Sequence, residues 1–166
     1  DLVEGYPVID ALSKYDFYEK GLVKNPIPAT NHIQPFLDHG VKNLWTYYCC
    51  VQNLDVANRF FAMPSARNRI IGAQLYKFEI AGFLHWGYNF YNTCHSYNQV
   101  DPFGYPDGSY FTPSGDCFLV YPAPDGTAYE SIRLNALREG VDDMRALSLY
   151  EEKFGREKAL ELVGDM

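Results

Sequence analysis

His85, Trp86, Tyr88, Asn89 and Tyr91 stand together in the stretch I-A-G-F-L-H-W-G-Y-N-F-Y, residues 80–91, directly after an apolar run of strand length at 81–84. An indole stacks on the apolar face of a pyranose ring, while tyrosine hydroxyls and a carboxamide exchange hydrogen bonds with its hydroxyl groups. That mixture of side chains suits a sugar-type ligand. Asp10, at the exit of the apolar run 7–9, offers a carboxylate for a hydroxyl contact or an electrostatic role, and Tyr48 lies near the end of a second β-rich run. The candidate substrate-binding residues are therefore Asp10, Tyr48, Trp86, Tyr88, Asn89 and Tyr91. They do not form a complete catalytic apparatus.

Most of the candidates also have a purely structural role open to them. Trp86 can be a core tryptophan with its indole N–H satisfied, and Tyr88, Asn89 and Tyr91 can be lid residues bonded to their own loop. Asp10 can cap a helix or form a salt bridge. His85 and Trp86 are adjacent, so on a strand they point to opposite faces. The ligand side is assigned to Trp86, and the lone His85 is read as structural. Arg69 is expected to pair with a carboxylate of the barrel, Arg133 to brace the loop before its helix, and Asp116, at a strand start, to lie at the opposite end from the ligand.

The elements that must position these residues follow from periodicity and punctuation. Residues 7–9 read as a buried strand, and Ser13 with Asp16 as a capping-box-like start for a helix over 14–20 that ends at Gly21. Residues 25–29, N-P-I-P-A, are extended because each residue before a proline leaves the α region. Thr30 or Asn31 caps a helix carrying Ile33, Phe36 and Leu37, stopped by Gly40. Residues 41–50 form a second strand. Ile70, Ile71, Leu75 and Phe78 recur at helical spacing after Pro64 and Ser65. The third strand starts at Ala81, and 28 residues rich in Tyr, Asn, Gly, Pro and Ser follow as a binding loop or lid, 88–115. Residues 116–122 are a fourth strand, Asp125-Gly126 a turn, and Ser131 the cap of a long helix closed by Gly155, with a last helix over 157–163.

Composition narrows the partners. At 166 residues with 47% hydrophobic content the chain can bury a core as a single domain. Its net charge of −7, without a basic stripe, argues against nucleic acid. No apolar run approaches the roughly 20 residues that cross a bilayer. Cys49, Cys50, Cys94 and Cys117 include no C-x-x-C spacing, which disfavours a zinc or redox site and points to free thiols in a reducing, cytoplasmic compartment. No cofactor is expected. A chain beginning with Asp rather than Met reads as an excerpt of a longer protein.

The order βαβαβαβα implies an α/β fold with a parallel sheet flanked by helices. No glycine-rich phosphate fingerprint follows any strand, which disfavours a doubly wound nucleotide-binding domain. Four βα units forming the C-terminal half of a (β/α)8 TIM-type barrel are the better fit, with ligand residues where strands pass into βα loops.

The ordered motifs L-W-T-Y-Y-C-C, N-R-F-F-A-M-P-S-A-R-N-R-I-I-G, A-G-F-L-H-W-G-Y-N-F-Y, S-G-D-C-F-L-V-Y-P and S-I-R-L-N-A-L-R-E-G-V-D-D resemble the C-terminal part of the catalytic domain of glycoside hydrolase family 123. The resemblance runs along nearly the whole chain. It implies a (β/α)8 barrel, of which this chain is the second half, and action on N-acetylhexosamine glycosides such as β-N-acetylgalactosaminides. It also implies substrate-assisted retention, in which the acetamido oxygen of the sugar attacks the anomeric carbon, one carboxylate orients that group, and a neighbouring carboxylic acid protonates the leaving oxygen. The family's adjacent Asp-Glu pair has no counterpart here: the adjacent acidic pairs are Asp142-Asp143 and Glu151-Glu152, both within the last long helix. The resemblance therefore implies a chain that is inactive alone and supplies sugar-binding residues. Its expected partners are an amino-sugar glycoside and the N-terminal half of the barrel, or a second copy through exposed sheet edges. A non-catalytic carbohydrate-binding or assembly module is the alternative class, and an open doubly wound domain for another metabolite is a third.

Overall fold

Two prolines decide how the sheet begins. In N-P-I-P-A neither proline can donate a hydrogen bond, so between residues 26 and 29 only Ile27 and Ala29 have an N–H to offer. In the computed structural model, which describes residues 4–165, the Ile27 N–H reaches the Asp10 carbonyl at 2.7 Å and the Asp10 N–H reaches the Asn25 carbonyl at 3.1 Å. On the other side the Tyr47 N–H donates to the Pro28 carbonyl at 3.3 Å, and the Thr46 hydroxyl donates to the same oxygen at 2.8 Å. The result is a pair of single parallel bridges, Asp10 with Pro26 and Ala29 with Tyr47. A sustained ladder cannot form where every second donor is missing.

Next comes β1, Trp45–Tyr47, paired in parallel with β2, Gly82–Leu84, in the register Trp45 to Gly82, Thr46 to Phe83 and Tyr47 to Leu84. Parallel positions therefore succeed one another in chain order at residues 10, 26–29, 45–47 and 82–84. Two sequence expectations change here. Residues 7–9 are not a buried strand, since Val8 is 55% and Ile9 52% exposed and only Asp10 pairs. Residues 26–29, expected to be merely extended, occupy a buried place between that bridge and β1.

The fourth expected strand also differs. Only its end is a strand, β3, Val120–Pro122, and it pairs antiparallel with β4, Ala128–Glu130. The reversal is made by the Asp125-Gly126 turn. Asp125 Oδ1 accepts from the Thr127 N–H at 3.0 Å and the Thr127 hydroxyl at 2.6 Å, and Gly126 takes φ of 83°. The protein is thus mixed α/β, with one parallel pair, one antiparallel hairpin and the bridges around them among the described residues.

The helices follow their local signals more closely. The Asp16-bearing helix α1 spans Tyr15–Glu19, but the Ser13 hydroxyl accepts from the Ala29 N–H at 3.0 Å instead of capping it. Residues Thr30–His32 form a 3-10 turn leading into α2, Gln34–Asp38. The expected helix after Pro64 is divided at Ile70 into α3, Ser65–Arg69, and α4, Ile71–Lys77. The long helix α5, Ile132–Phe154, begins as predicted, with the Ser131 hydroxyl accepting from the Leu134 N–H at 3.2 Å, and Gly155 separates it from α6, Arg156–Val163. Ser131→Ala is expected to lower stability by about 1 kcal/mol in urea unfolding, with an unchanged denaturant slope.

Helix α5 seats against α3 and α4 backbone to backbone. A Cβ on Gly72 would fall 1.7 Å from the Gly140 carbonyl oxygen, and one on Gly140 2.3 Å from the Arg69 carbonyl oxygen. Beneath this contact Tyr48, Ala57, Ile71 and Leu75 form a core against which Ile80, Phe83, Leu137 and Met144 pack.

Candidate functional site

The site grows from one glycine. Beyond Leu84 the chain passes through His85 and Trp86 to Gly87, which turns it at φ of 63° with so little room that a Cβ would lie 2.5 Å from the Asp116 carbonyl oxygen. After the turn, residues 88–90 run antiparallel to 117–119, tied by the Phe90 N–H to the Cys117 carbonyl at 2.9 Å and the Leu119 N–H to the Tyr88 carbonyl at 2.8 Å. This pairing lays Trp86 against Asp116, and the indole Nε1–H donates to Asp116 Oδ2 at 3.1 Å.

Below the indole lies a buried polar cluster. The side chains of Arg59 and Asp116 are both fully buried, with Arg59 Nη2 3.3 Å from Asp116 Oδ1. Arg59 Nη2 donates to the Trp86 carbonyl at 2.9 Å and to the Asp116 carbonyl at 2.7 Å, and the guanidinium lies over the Tyr48 ring at 5.3 Å. Arg133, at the start of α5, donates to the carbonyls of Gly115 and Phe118, so it braces the preceding loop as its position in the sequence suggests. Asn68 joins the two sides, accepting from the Tyr48 hydroxyl at 3.0 Å and donating to the Arg133 carbonyl at 2.6 Å. Among the described residues, Arg59 Nε and Nη1, His85 Nε2 and Asp116 Oδ1 find no hydrogen-bond partner. Asp116 Oδ1 is close enough to Arg59 for an ion pair but makes no hydrogen bond with it, so the contact is Coulombic.

Burial dominates the electrostatics. It pushes Asp116 up to about 6 against the pull of Arg59, the Trp86 hydrogen bond and Arg133. It holds His85 down at about 4, helped by the Arg59 charge, so the imidazole is neutral at pH 7. Burial likewise raises the Tyr48 hydroxyl to about 12 and, together with neighbouring Cys49, the Cys50 thiol to about 11. Neither Tyr48 nor Cys50 is poised as a nucleophile near neutral pH.

The six candidate residues divide into three groups. Trp86 is half-buried, with Phe90 at 5.7 Å and Phe111 edge-on at 6.0 Å, and its indole N–H is satisfied within the protein. Tyr88 and Asn89 are exposed beside it, with His85 edge-on to the Tyr88 ring. Tyr91 is half-buried, its hydroxyl donating to the Val120 carbonyl at 2.7 Å, so its polar end is bonded within the fold. Tyr48 lies in the core underneath the cluster rather than at its surface. Asp10 is exposed and lines a separate cleft of about 570 Å³ with residues 4–8 and 21–25, a lining that includes neither Trp86 nor its neighbours Phe90, Phe111 and Asp116. His85 and Trp86 keep different company, as adjacency suggests: the histidine ring sits by Phe83 and Tyr88, the indole by Phe90, Phe111 and Asp116.

Asp116 and Arg59 were not among the candidates. Sequence order put Asp116 at the far end of its strand, whereas the Gly87 turn brings it to Trp86. The available signal was a charge embedded in an apolar run, in S-G-D-C-F-L-V and again in N-R-F-F, because a charge buried there must find a counter-charge. Arg69 pairs with two carboxylates of α5, Asp143 and Glu139. Three of the four adjacent acids of α5 are engaged in the same manner, Asp143 with Arg69, Asp142 with Arg145, and Glu151 with Arg156 and the Tyr76 hydroxyl. They serve as surface ion pairs.

Chemically, this arrangement presents a rigidly held indole, flanking hydroxyl and amide groups, and one buried acid beneath them. A family model described as glycoside hydrolase 123, catalytic domain, matches residues 1–150. A search of curated protein sequences returns no match.

Proposed function

Since the chain belongs to the glycoside hydrolase 123 catalytic-domain family, we propose that it forms part of the sugar-binding wall of a barrel hydrolase acting on N-acetylhexosaminides, with N-acetylgalactosaminides the leading class. The supporting observation is the succession of parallel positions in chain order, ending in β2 and delivering Trp86, Tyr88 and Asn89 just past its C-terminal end. An unbroken order is what a barrel segment requires, and a doubly wound sheet would reverse it. The proposed half-barrel is completed by strands outside this chain, beginning at the open edge beside Asp10.

The reaction assigned to the complete barrel is substrate-assisted retention. The acetamido oxygen forms a bond to the anomeric carbon as the bond to the leaving oxygen breaks, and that oxygen takes a proton from a carboxylic acid. The acid and the carboxylate that orients the acetamido group come from the other part of the barrel, so the present chain alone is inactive. Its own contribution is an aromatic surface for the ring and hydrogen bonds to its hydroxyls.

Assay of the full-length protein with a chromogenic β-N-acetylgalactosaminide tests this. Turnover with retained anomeric configuration is expected, and Trp86→Ala should raise KM about 30-fold through lost stacking and apolar contact. Absence of turnover on every hexosaminide tried would sink the enzyme reading. Sugar binding without turnover would favour the second reading, a carbohydrate-binding module. That reading draws on the engagement of Asp142, Asp143 and Glu151 in ion pairs along α5.

A further inference from the structure

We propose that Asp116 is the positioning residue of the Trp86 wall: its carboxylate fixes the plane of the indole through the Nε1–H, while Arg59 locks the carboxylate and the backbone on either side. This rests on the sugar-site reading above and goes beyond it by naming the group that sets how the aromatic surface is presented.

The geometry is over-determined in the way a fixed support requires. One nitrogen, Arg59 Nη2, holds the carbonyls of both Trp86 and Asp116, so the two backbones cannot separate without breaking a buried charge-assisted bond. The carboxylate then spans the remaining gap, Oδ2 to the indole and Oδ1 toward the guanidinium. The indole is restrained on its other edges by Phe90 and Phe111. A stacking surface binds a ring well only if its plane is set before the ligand arrives, and rotamer freedom in the free protein weakens binding.

Asp116 sits among two cations and several neutral groups. Arg59, from the loop after β1, and Arg133, from α5, favour its anion; Tyr48, Cys50, Cys117 and the neutral His85 add no opposing charge near pH 7. Its protonation should therefore be readable at the indole it holds.

The test uses the full-length protein, with the Trp86 indole resonance assigned by its loss in Trp86→Phe. In the wild type this resonance should shift with a midpoint near the value of about 6 set by burial of Asp116, and it should be flat over the same range in Asp116→Asn. Asp116→Ala should raise KM about fivefold with kcat within twofold, while Asp116→Asn, which keeps an acceptor for the indole, should restore KM to within twofold of wild type. If Asp116→Ala does not fold, the wild-type and Asp116→Asn titrations still decide. A wild-type indole resonance that neither moves between pH 4.5 and 7.5 nor differs in position from that of Asp116→Asn, or an unchanged KM in a folded Asp116→Ala, overturns this inference alone. A wild type that neither binds nor cleaves any hexosaminide overturns the sugar-site reading itself.

Discussion

Arg59→Ala is expected to destabilise the fold by about 3–5 kcal/mol, the range for removing one partner of a buried ion pair. The truncation takes away more than a charge. It releases the carbonyls of Trp86 and Asp116 from their shared donor, removes a cation from the face of Tyr48, and leaves Asp116 buried without its nearest counter-charge. In thermal unfolding a domain of this size should melt roughly 10 °C lower. The cause can be separated from simple loss of packing by a double-mutant cycle with Asp116→Asn. If the charge left behind carries the cost, Arg59→Ala should be far less damaging in the Asp116→Asn background, with a coupling of about 2 kcal/mol. Additive effects would show instead that Arg59 acts through its two carbonyl contacts alone.

The second expected result concerns pH, where two buried groups act in opposite directions. Asp116 has its folded value raised from the ordinary 3.8 to about 6, so the folded state holds an extra proton in that interval. Its contribution to stability is full below about pH 4 and is lost as pH rises through 6. His85 has its folded value lowered from 6.5 to about 4, so the folded state resists a proton that the unfolded chain accepts. Its contribution is full above 6.5 and is lost as pH falls through 4. Each shift corresponds to about 3 kcal/mol. Between pH 4 and 6 the two slopes largely cancel, so the stability due to this pair should be nearly flat in the wild type. Single substitutions expose the hidden slopes. In His85→Gln, stability should fall by about 3 kcal/mol as pH rises from 4 to 6, and in Asp116→Asn it should rise by a similar amount from pH 4 to 6.5. Urea unfolding at half-unit pH steps measures both. Parallel pH profiles for the two variants would mean that neither group titrates as its burial demands.

The two results bear on function through one feature. The buried cluster of Arg59 and Asp116 sits beneath Trp86, and loss of either member of the ion pair loosens the support of the proposed sugar-binding surface. Variants that alter stability and ligand binding together therefore belong at this cluster, whereas Ser131→Ala, which removes only the cap bond from the Leu134 N–H, should lower stability and leave ligand binding nearly unchanged.

What the sequence determined by itself is local. Ser131 caps α5 because its hydroxyl needs only the N–H three residues on, and the Asp125-Gly126 turn follows from those two residues and Thr127. Trp86 could be placed just beyond a strand because an apolar run and a glycine bracket it, and the ordered motifs were enough to reveal the family. Tertiary structure decided everything that depends on partners distant in the chain. Residues 26–29 became a sheet position because Asp10 and Tyr47 flank them, and β3 became one side of a hairpin rather than a parallel strand. Tyr48 went to the core under Arg59, and Asp10 to a separate cleft. Above all, Asp116 reached Trp86, 30 residues away, and Arg59, 57 residues away, through the turn at Gly87. The reason is physical. Caps and turns are settled by neighbours a few bonds away, but a buried charge is placed by where the fold can supply its counter-charge and hydrogen bonds, and sequence spacing does not encode that.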